Sequence, residues 1–592
     1  MNFLSFLAIH PHERKRRMKL LALLRTGLFS LYQSVKRFPL TIFLTTATTV
    51  LLIITSRVDG ATTIETLGRL AMATALGVPI TLSIALAFER MKSSRAAEYG
   101  SYALAFCLLI LYYFFLLPEF GMVPITRYIA VTIASYLAFL FVPYFFNRSG
   151  FEMYVIKVLS KLLVTAIYSA ILFAGLALTL LTIDLLLGIN VSFTFYTNVW
   201  LVVAGVFAPC FFLAGLPAIN QDIEKETYPA VLKVLLLYIV MPIILTYTVI
   251  LYIYFLKTLF TLKWPEGTVS HLVLWYSVFS AGVIFLVYPL VRDNKFVKFF
   301  TAWFPKLVLP AIMVMFMAIA VRINAYGFTE NRYFVVALGL WIFGVMLYFS
   351  LAKRFKNIVL PVSLALVALL AVMGPWSAYS VSRNSQNRRF ETLAAEYNMV
   401  NGNTLQKPDR EIALEDKKTI ISILEYFERS HSLREVRLLP SNFELINMEQ
   451  VFGFSRENIW AIPGKQVYFH LHTQVKSLDV RDYDLLLNSD NLRQEAITVG
   501  TLTVKYSPED MELKVLGGNQ ELYANSLQRF AEQVVERHGA ASLELPVEDV
   551  TFVEENENIR MKLIFTRITG VNEANQITFD DLGFYLLLKI KH

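Results

Sequence analysis

Eleven long apolar runs follow one another between residues 39 and 379, and this succession constrains the chain more than any other feature. They cover 39–55, 70–88, 101–118, 128–146, 162–187, 198–217, 234–256, 271–290, 304–321, 333–351 and 359–379. A helix needs about 20 mainly apolar residues to cross the roughly 30 Å hydrocarbon layer of a bilayer. Lipid offers backbone groups no hydrogen-bond partner, so runs of this kind are satisfied as helices. One water-soluble core is excluded for the whole chain, with 56% of its 592 residues hydrophobic and only 17% charged. The expected fold is mainly α, an eleven-helix transmembrane bundle followed by a soluble α+β domain with an antiparallel sheet.

Charge supports the division. Up to Tyr379 there are 30 Lys and Arg against 14 Asp and Glu, and beyond it 24 against 32. Within the first part, the N-terminal segment and the loops on its side of the runs hold 23 Lys and Arg, and the opposite loops hold 7, with Lys306 counted in the loop it adjoins. Cytoplasmic loops carry the positive excess, so the N-terminus is expected in the cytoplasm and everything after Tyr379 outside it. The basic stretch from Arg14 to Lys19 precedes a long apolar run with no small-residue cleavage site, which disfavours a cleaved signal peptide. The expected domains are a basic segment 1–38, a transmembrane domain 39–379, a linker 380–408 and an extracytoplasmic domain 409–592.

The tail holds neither of the two cysteines, Cys107 and Cys210, so it has to fold on its own apolar core. Ile420, Ile423, Leu424 and Phe427 recur at helical spacing, and the segment 521–538 reads as a second helix stopped by Gly539. Alternation with period two predicts strands over 467–471, 497–506, 511–516, 559–568 and 584–590, with a turn at 507–510.

Chemistry is sought first inside the membrane, where an ionisable side chain is costly and faces a bundle interior or a cavity. Asp184 is the acidic residue well inside a run, on a face with Ala170, Ala174, Ala177 and Gly188. The first run carries a polar stripe of Thr41, Thr45, Thr48 and Thr49 and ends near Arg57. Asp184, Arg57, Thr45 and Thr48 therefore form a candidate polar site, to be weighed against a structural ion pair or helix cap. Gly374, Pro375 and Trp376 mark a candidate joint between bundle and tail, since Gly-Pro breaks a helix and Trp favours the headgroup level. Pro79, Pro209, Pro242, Pro310 and Pro361 within runs fit either hinges or ordinary kinks.

Other signals are weak. His470 and His472 share a strand face without further ligands at suitable spacing. Asp482 and Asp484 are paired only by proximity, and Gly517 and Gly518 lack a phosphate-cradling pattern. No metal, cofactor or catalytic residue is predicted, and no nucleic-acid role. The single interfacial histidine His271 disfavours a membrane acyltransferase, and the short first outer loop leaves a lipid-linked glycosyltransferase as a minor alternative. Partners are expected to be membrane lipid and either a small solute or an envelope protein bound through the tail. A non-transporting scaffold or signalling protein is the rival reading.

Four stretches carry a family resemblance: 37–52 (RFPLTIFLTTATTVLL), 374–393 (GPWSAYSVSRNSQNRRFETL), 420–433 (IISILEYFERSHSL) and 581–591 (DLGFYLLLKIK). They resemble a bacterial family of multi-span proteins with a soluble C-terminal region, defined by a domain of unknown function, DUF4153. The resemblance implies a bacterial cytoplasmic membrane location and brings no catalytic residues with it.

Overall fold

The computed structural model describes residues 32–58, 60–91, 94–145, 150–217, 227–261, 268–352, 355–402, 404–440, 442–454, 467–473, 475, 478–493, 496–518, 520–538, 543–573 and 576–591. The basic run Arg14 to Lys19 lies outside them. The chain divides into two compact units, one of residues 1–392 with 426–436, the other of 393–425 with 437–592.

The first unit is helical. Among the described residues nine helices are long and apolar enough to cross a membrane: α2 (Ala61–Met91), α3 (Arg95–Leu116), α4 (Met122–Tyr144), α5 (Phe151–Leu187), α6 (Phe193–Ala214), α7 (Ala230–Thr258), α8 (Val269–Val291), α9 (Lys295–Tyr326) and α10 (Glu330–Leu351). Two apolar helices are shorter, α1 (Pro39–Thr55) with 17 residues and α11 (Val359–Val372) with 14. Each of the eleven apolar runs is thus helical, but length alone does not carry a count of eleven crossings. This is a multi-pass membrane protein.

Local sequence explains several boundaries. Pro39 occupies the first turn of α1, where its missing N–H costs nothing. Gly188, at φ +63°, closes α5 by donating its N–H to the Asp184 carbonyl. Three of the described helices contain a π-helical turn, at Tyr112–Leu116, Val203–Phe207 and Leu235–Val240, and the last two end two residues before a proline that stays within the helix, Pro209 or Pro242. Proline cannot donate to the carbonyl four residues back. In both helices that carbonyl, of Gly205 or Tyr238, falls inside the π-helical turn. The core of this unit is densest where α8, α9 and α10 meet, with Val273, Ile284, Val308, Ile312, Ile342 and Met346 all fully buried.

Part of the expected linker is ordered structure. Residues 378–396 form a helix, α12 (Ala378–Glu396), and a short hairpin of β1 (Val400–Asn401) and β2 (Thr404–Leu405) follows. Ser382, Gln386 and Phe390 recur at every fourth position and are buried, so the polar composition of this stretch conceals a packed helical face.

The second unit is α+β. Helix α13 (Leu414–Ser430) begins in it and buries Ile420, Ile423 and Leu424. A six-stranded sheet has the path β4 (Leu485–Asn488), β12 (Gln576–Ile590), β11 (Ile559–Glu573), β3 (Val467–His472) and β9 (Leu543–Glu544), and β10 (Thr551–Glu555) also pairs with β11. It is antiparallel except for β3 with β9. A second antiparallel sheet runs β5 (Ile497–Val499), β6 (Leu502–Ser507), β7 (Glu512–Gly517) and β8 (Gln520–Ser526). The helix Gln528–His538 buries Phe530, Ala531, Val534 and Val535 in the core shared by both sheets.

Two expectations change here. The run 497–506 is a hairpin, because Gly500 takes φ +61° in the two-residue turn between β5 and β6. Residues 521–526, expected at the start of a helix, pair with β7 as β8, and the helix begins only after the buried Leu527.

Candidate functional site

The threonines of α1 lie at spacings of three and four and so share one helical face. Thr41, Thr45 and Thr49 are buried. Thr45 and Thr49 donate to the carbonyls of Ile42 and Thr45 on their own helix. Thr41 and Thr48 reach across to α2, with Oγ1 separations of 3.1 Å to Thr81 and 2.9 Å to Thr74. These bonds hold α1 and α2 together without any charge. On the other side a Cβ added to Gly205 would collide with the Thr49 side chain, so glycine in the π-helical turn of α6 is what lets the two helices approach.

Between α1, α2, α4, α5 and α6 lies a cavity of about 660 Å³. Its walls are mainly apolar, contributed by residues such as Leu82, Phe139, Leu162, Ala204 and Leu213, with the threonine stripe and Thr165 as polar relief. The volume falls within the roughly 300–1,000 Å³ of ligand-holding pockets. On α1 the lining runs from Thr41 to Leu52, about 16 Å along the helix axis. Among the described residues no carboxylate, histidine or cysteine lines it, and its polar side chains are the threonines and Tyr136.

The candidate polar site is only partly assembled. Thr45 and Thr48 border the cavity. Asp184 sits in the last turn of α5, half-buried, and its carboxylate accepts the Val191 N–H at 3.3 Å where the chain turns back after Gly188. Arg57 lies exposed just beyond α1, whose end meets α6 through Ser56 and Asn198. Among the described residues no bond joins Asp184 to α1. The sequence projection gave Asp184 an inward face but could not foresee that Gly188 returns the backbone to it.

Gly374, at φ +82°, and Pro375 form a turn between α11 and α12, with the Trp376 ring lying against Gly374 and its carbonyl accepting from the Tyr333 hydroxyl at 2.6 Å. This turn lies inside the first unit, which continues to residue 392. His472 and the backbone of His470 lie on β3, and the His470 side chain falls outside the described residues. The Asp484 carboxylate accepts the Ile590 N–H. Gly517 ends β7, and Gly518, at φ +60°, belongs to the turn before β8. No group of three metal-ligating side chains occurs among the described residues.

Three features escaped the sequence. Arg37 forms a bidentate pair with Glu89 and donates to the carbonyls of Leu216 and Pro217, tying the starts of α1 and the ends of α2 and α6 together. Lys161 of α5 places its ammonium 3.7 Å from the centre of the Phe211 ring and its carbon stem against Gly215. Glu330, at the start of α10 and 2% exposed, accepts from the Tyr426 hydroxyl at 2.6 Å and pairs with His431 Nε2 at 2.7 Å. Burial, and then the bond to Glu330, raise the Tyr426 pKa well above the usual phenol range. About a hundred residues separate Glu330 from these partners, so no local pattern could announce the cluster.

A family model described as "Domain of unknown function (DUF4153)" matches residues 40–401. The chain belongs to this DUF4153 family. The matched residues contain every residue lining the cavity and stop before the two large sheets of the tail. A curated relative, "Uncharacterized protein PM1469" of Pasteurella multocida (strain Pm70), is 28% identical over 267 residues. That match covers 44% of this DUF4153 chain and 45% of the relative. No solved structure matches it.

Proposed function

We propose that this protein is a bacterial inner-membrane protein whose helical bundle takes up the hydrocarbon chain of a lipid in the cavity between α1, α2, α4, α5 and α6. The cavity carries the reading: it is large, apolar, elongated along α1 and free of lining carboxylates. A small polar solute would leave its hydrogen bonds unmet against such walls, whereas an apolar chain needs none. The topology that accompanies this reading has eleven crossings, the short α1 and α11 included. The N-terminus is cytoplasmic and the tail is an extracytoplasmic accessory module, in keeping with the 23 to 7 distribution of Lys and Arg.

The test is photolabelling of the full-length protein in bilayers with a neutral long-chain alcohol bearing a diazirine on its chain. Labelled peptides should include residues 41–52 and 201–213, and Ala204→Phe, which fills the cavity, should abolish that labelling while leaving lipid-facing sites on α3 labelled. Labelling spread evenly over lipid-facing helices and indifferent to Ala204→Phe would overturn the reading.

A further inference from the structure

Beyond the end of the cavity lining marked by Leu213 lies a charged group that is not itself part of the lining: Arg37 bonds Glu89 and the Leu216 carbonyl, and Lys161, next in the chain to the lining residue Leu162, packs its stem against Gly215. The cations at this end differ in what they are free to do. Arg37 is saturated, since its guanidinium is spent on Glu89 and two carbonyls. Lys161 is half-buried between α5 and α6, and among the described residues no carboxylate lies within ion-pair distance of it. A ring face satisfies an ammonium only in part, leaving its N–H donors for an anion.

One helical turn further along α5, Thr165 borders the cavity and is 3% exposed. Its hydroxyl has no hydrogen-bond partner among the described residues. Thr45, Thr48 and Thr49 of α1 donate to carbonyls of their own helix; Thr165 does not. A buried hydroxyl left unpaired is costly, and a turn about χ1 exchanges its place with the methyl group of the same side chain. Threonine in helices divides between two such rotamers.

Resting on the lipid-binding reading above, we propose that the cavity's occupant is an anionic amphiphile, with its hydrocarbon chain along the threonine stripe and its acidic head held by Lys161 and Thr165. Lysine serves as a point charge toward phosphate or carboxylate oxygens, and the hydroxyl supplies a neutral donor beside it.

Three photoprobes with the same diazirine-bearing chain test this: an alkyl phosphate, an alkyl carboxylate and the alcohol, each applied to the full-length protein in bilayers of neutral lipid. Labelling of residues 41–52 and 201–213 should be about tenfold stronger with the two anionic probes than with the alcohol, the factor given by one charge-assisted hydrogen bond. Lys161→Gln should bring the anionic probes down to the level of the alcohol, Lys161→Arg should retain most of the preference, and Thr165→Val should reduce it a few-fold. None of the three should alter labelling by the alcohol, which also reports that each variant is folded. Equal labelling by all probes, or a preference that survives Lys161→Gln, overturns the assignment of an anionic head while leaving the lipid cavity standing. Failure of every probe to label these residues overturns the cavity reading itself.

Discussion

Two parts of the helical unit solve the same packing problem differently. In α8, α9 and α10 the most apolar stretches are 56%, 44% and 39% buried, whereas in α4, α5 and α6 the corresponding values are 17%, 0% and 11%. The water-driven hydrophobic effect does not pull helices together within lipid, so helices associate where shapes interlock. Around α9 they do. Gly339 of α10 leaves so little room that a Cβ there would come within 2.7 Å of the Met315 methyl group and 3.0 Å of the Phe316 ring. Beside the stretch Val158 to Thr165 of α5 the side chains leave a void, and two of its walls, α1 and α2, are joined by threonine pairs as well as by the close approach of Leu44 to Gly77. The difference teaches that the void is local to one part of the bundle and does not reflect loose packing throughout.

The comparison can be broken by substitution, with stability of the full-length protein read by denaturant titration in detergent. The largest effect is expected at the end of the dense part, where Glu330→Leu strands His431 and Tyr426 and should cost about 3–5 kcal/mol. Adding His431→Leu to it should cost much less than the sum of the single effects, because the two side chains form one pair.

Next comes Ile312→Ala, expected to cost about 2–5 kcal/mol at a fully buried position. Leu162→Ala at the cavity wall, where the side chain is 51% exposed, should stay below about 1 kcal/mol. Similar losses at the two sites would remove the distinction between the parts.

Added volume sharpens the contrast from the other direction. Gly339→Ala should destabilise by about 1–3 kcal/mol through overpacking, while the much larger change Ala204→Phe should stay within about 1 kcal/mol because the void receives the ring. A large penalty for Ala204→Phe would mean that the cavity does not exist in solution.

The smallest effect belongs to the tail and serves as a control for both parts. The Lys591 ammonium, 2.7 Å from Glu555, holds that carboxyl below its ordinary value of 4.5. A lowered folded-state pKa contributes stability above the unfolded value and loses it as pH falls through the folded one. Lys591→Met should return Glu555 toward 4.5, seen in an NMR titration of its carboxyl, and leave the bundle's unfolding unchanged.

The positions of the apolar helices were legible because lipid imposes length and composition on each one separately. Strands such as β6 and β7 were legible for the same reason, since alternation is a property of a single segment. The hairpin at Gly500 was not, because apolar alternation continues through the turn and only φ reveals it. Thr45 and Thr48 were found as a stripe, but the stripe alone could not tell a contact with Asp184 from a contact with α2. Lys161 falls between the apolar runs 128–146 and 162–187 and so reads as a loop residue from sequence, although the helix begins at Phe151. Its surroundings depend on Gly215 and Phe211, some fifty residues on, and no periodicity connects them.

The length of α5 has a mechanical side. Its 37 residues extend about 55 Å, close to twice the thickness of the hydrocarbon layer. The cavity wall occupies only the stretch from Val158 to Thr165, near one end of that rod. The remainder is a long lever arm with large side chains such as Leu178 and Leu185 turned outward. A change in bilayer thickness should tilt so long a rod, and a tilt would move the short stretch that walls the cavity by less than it moves the far end.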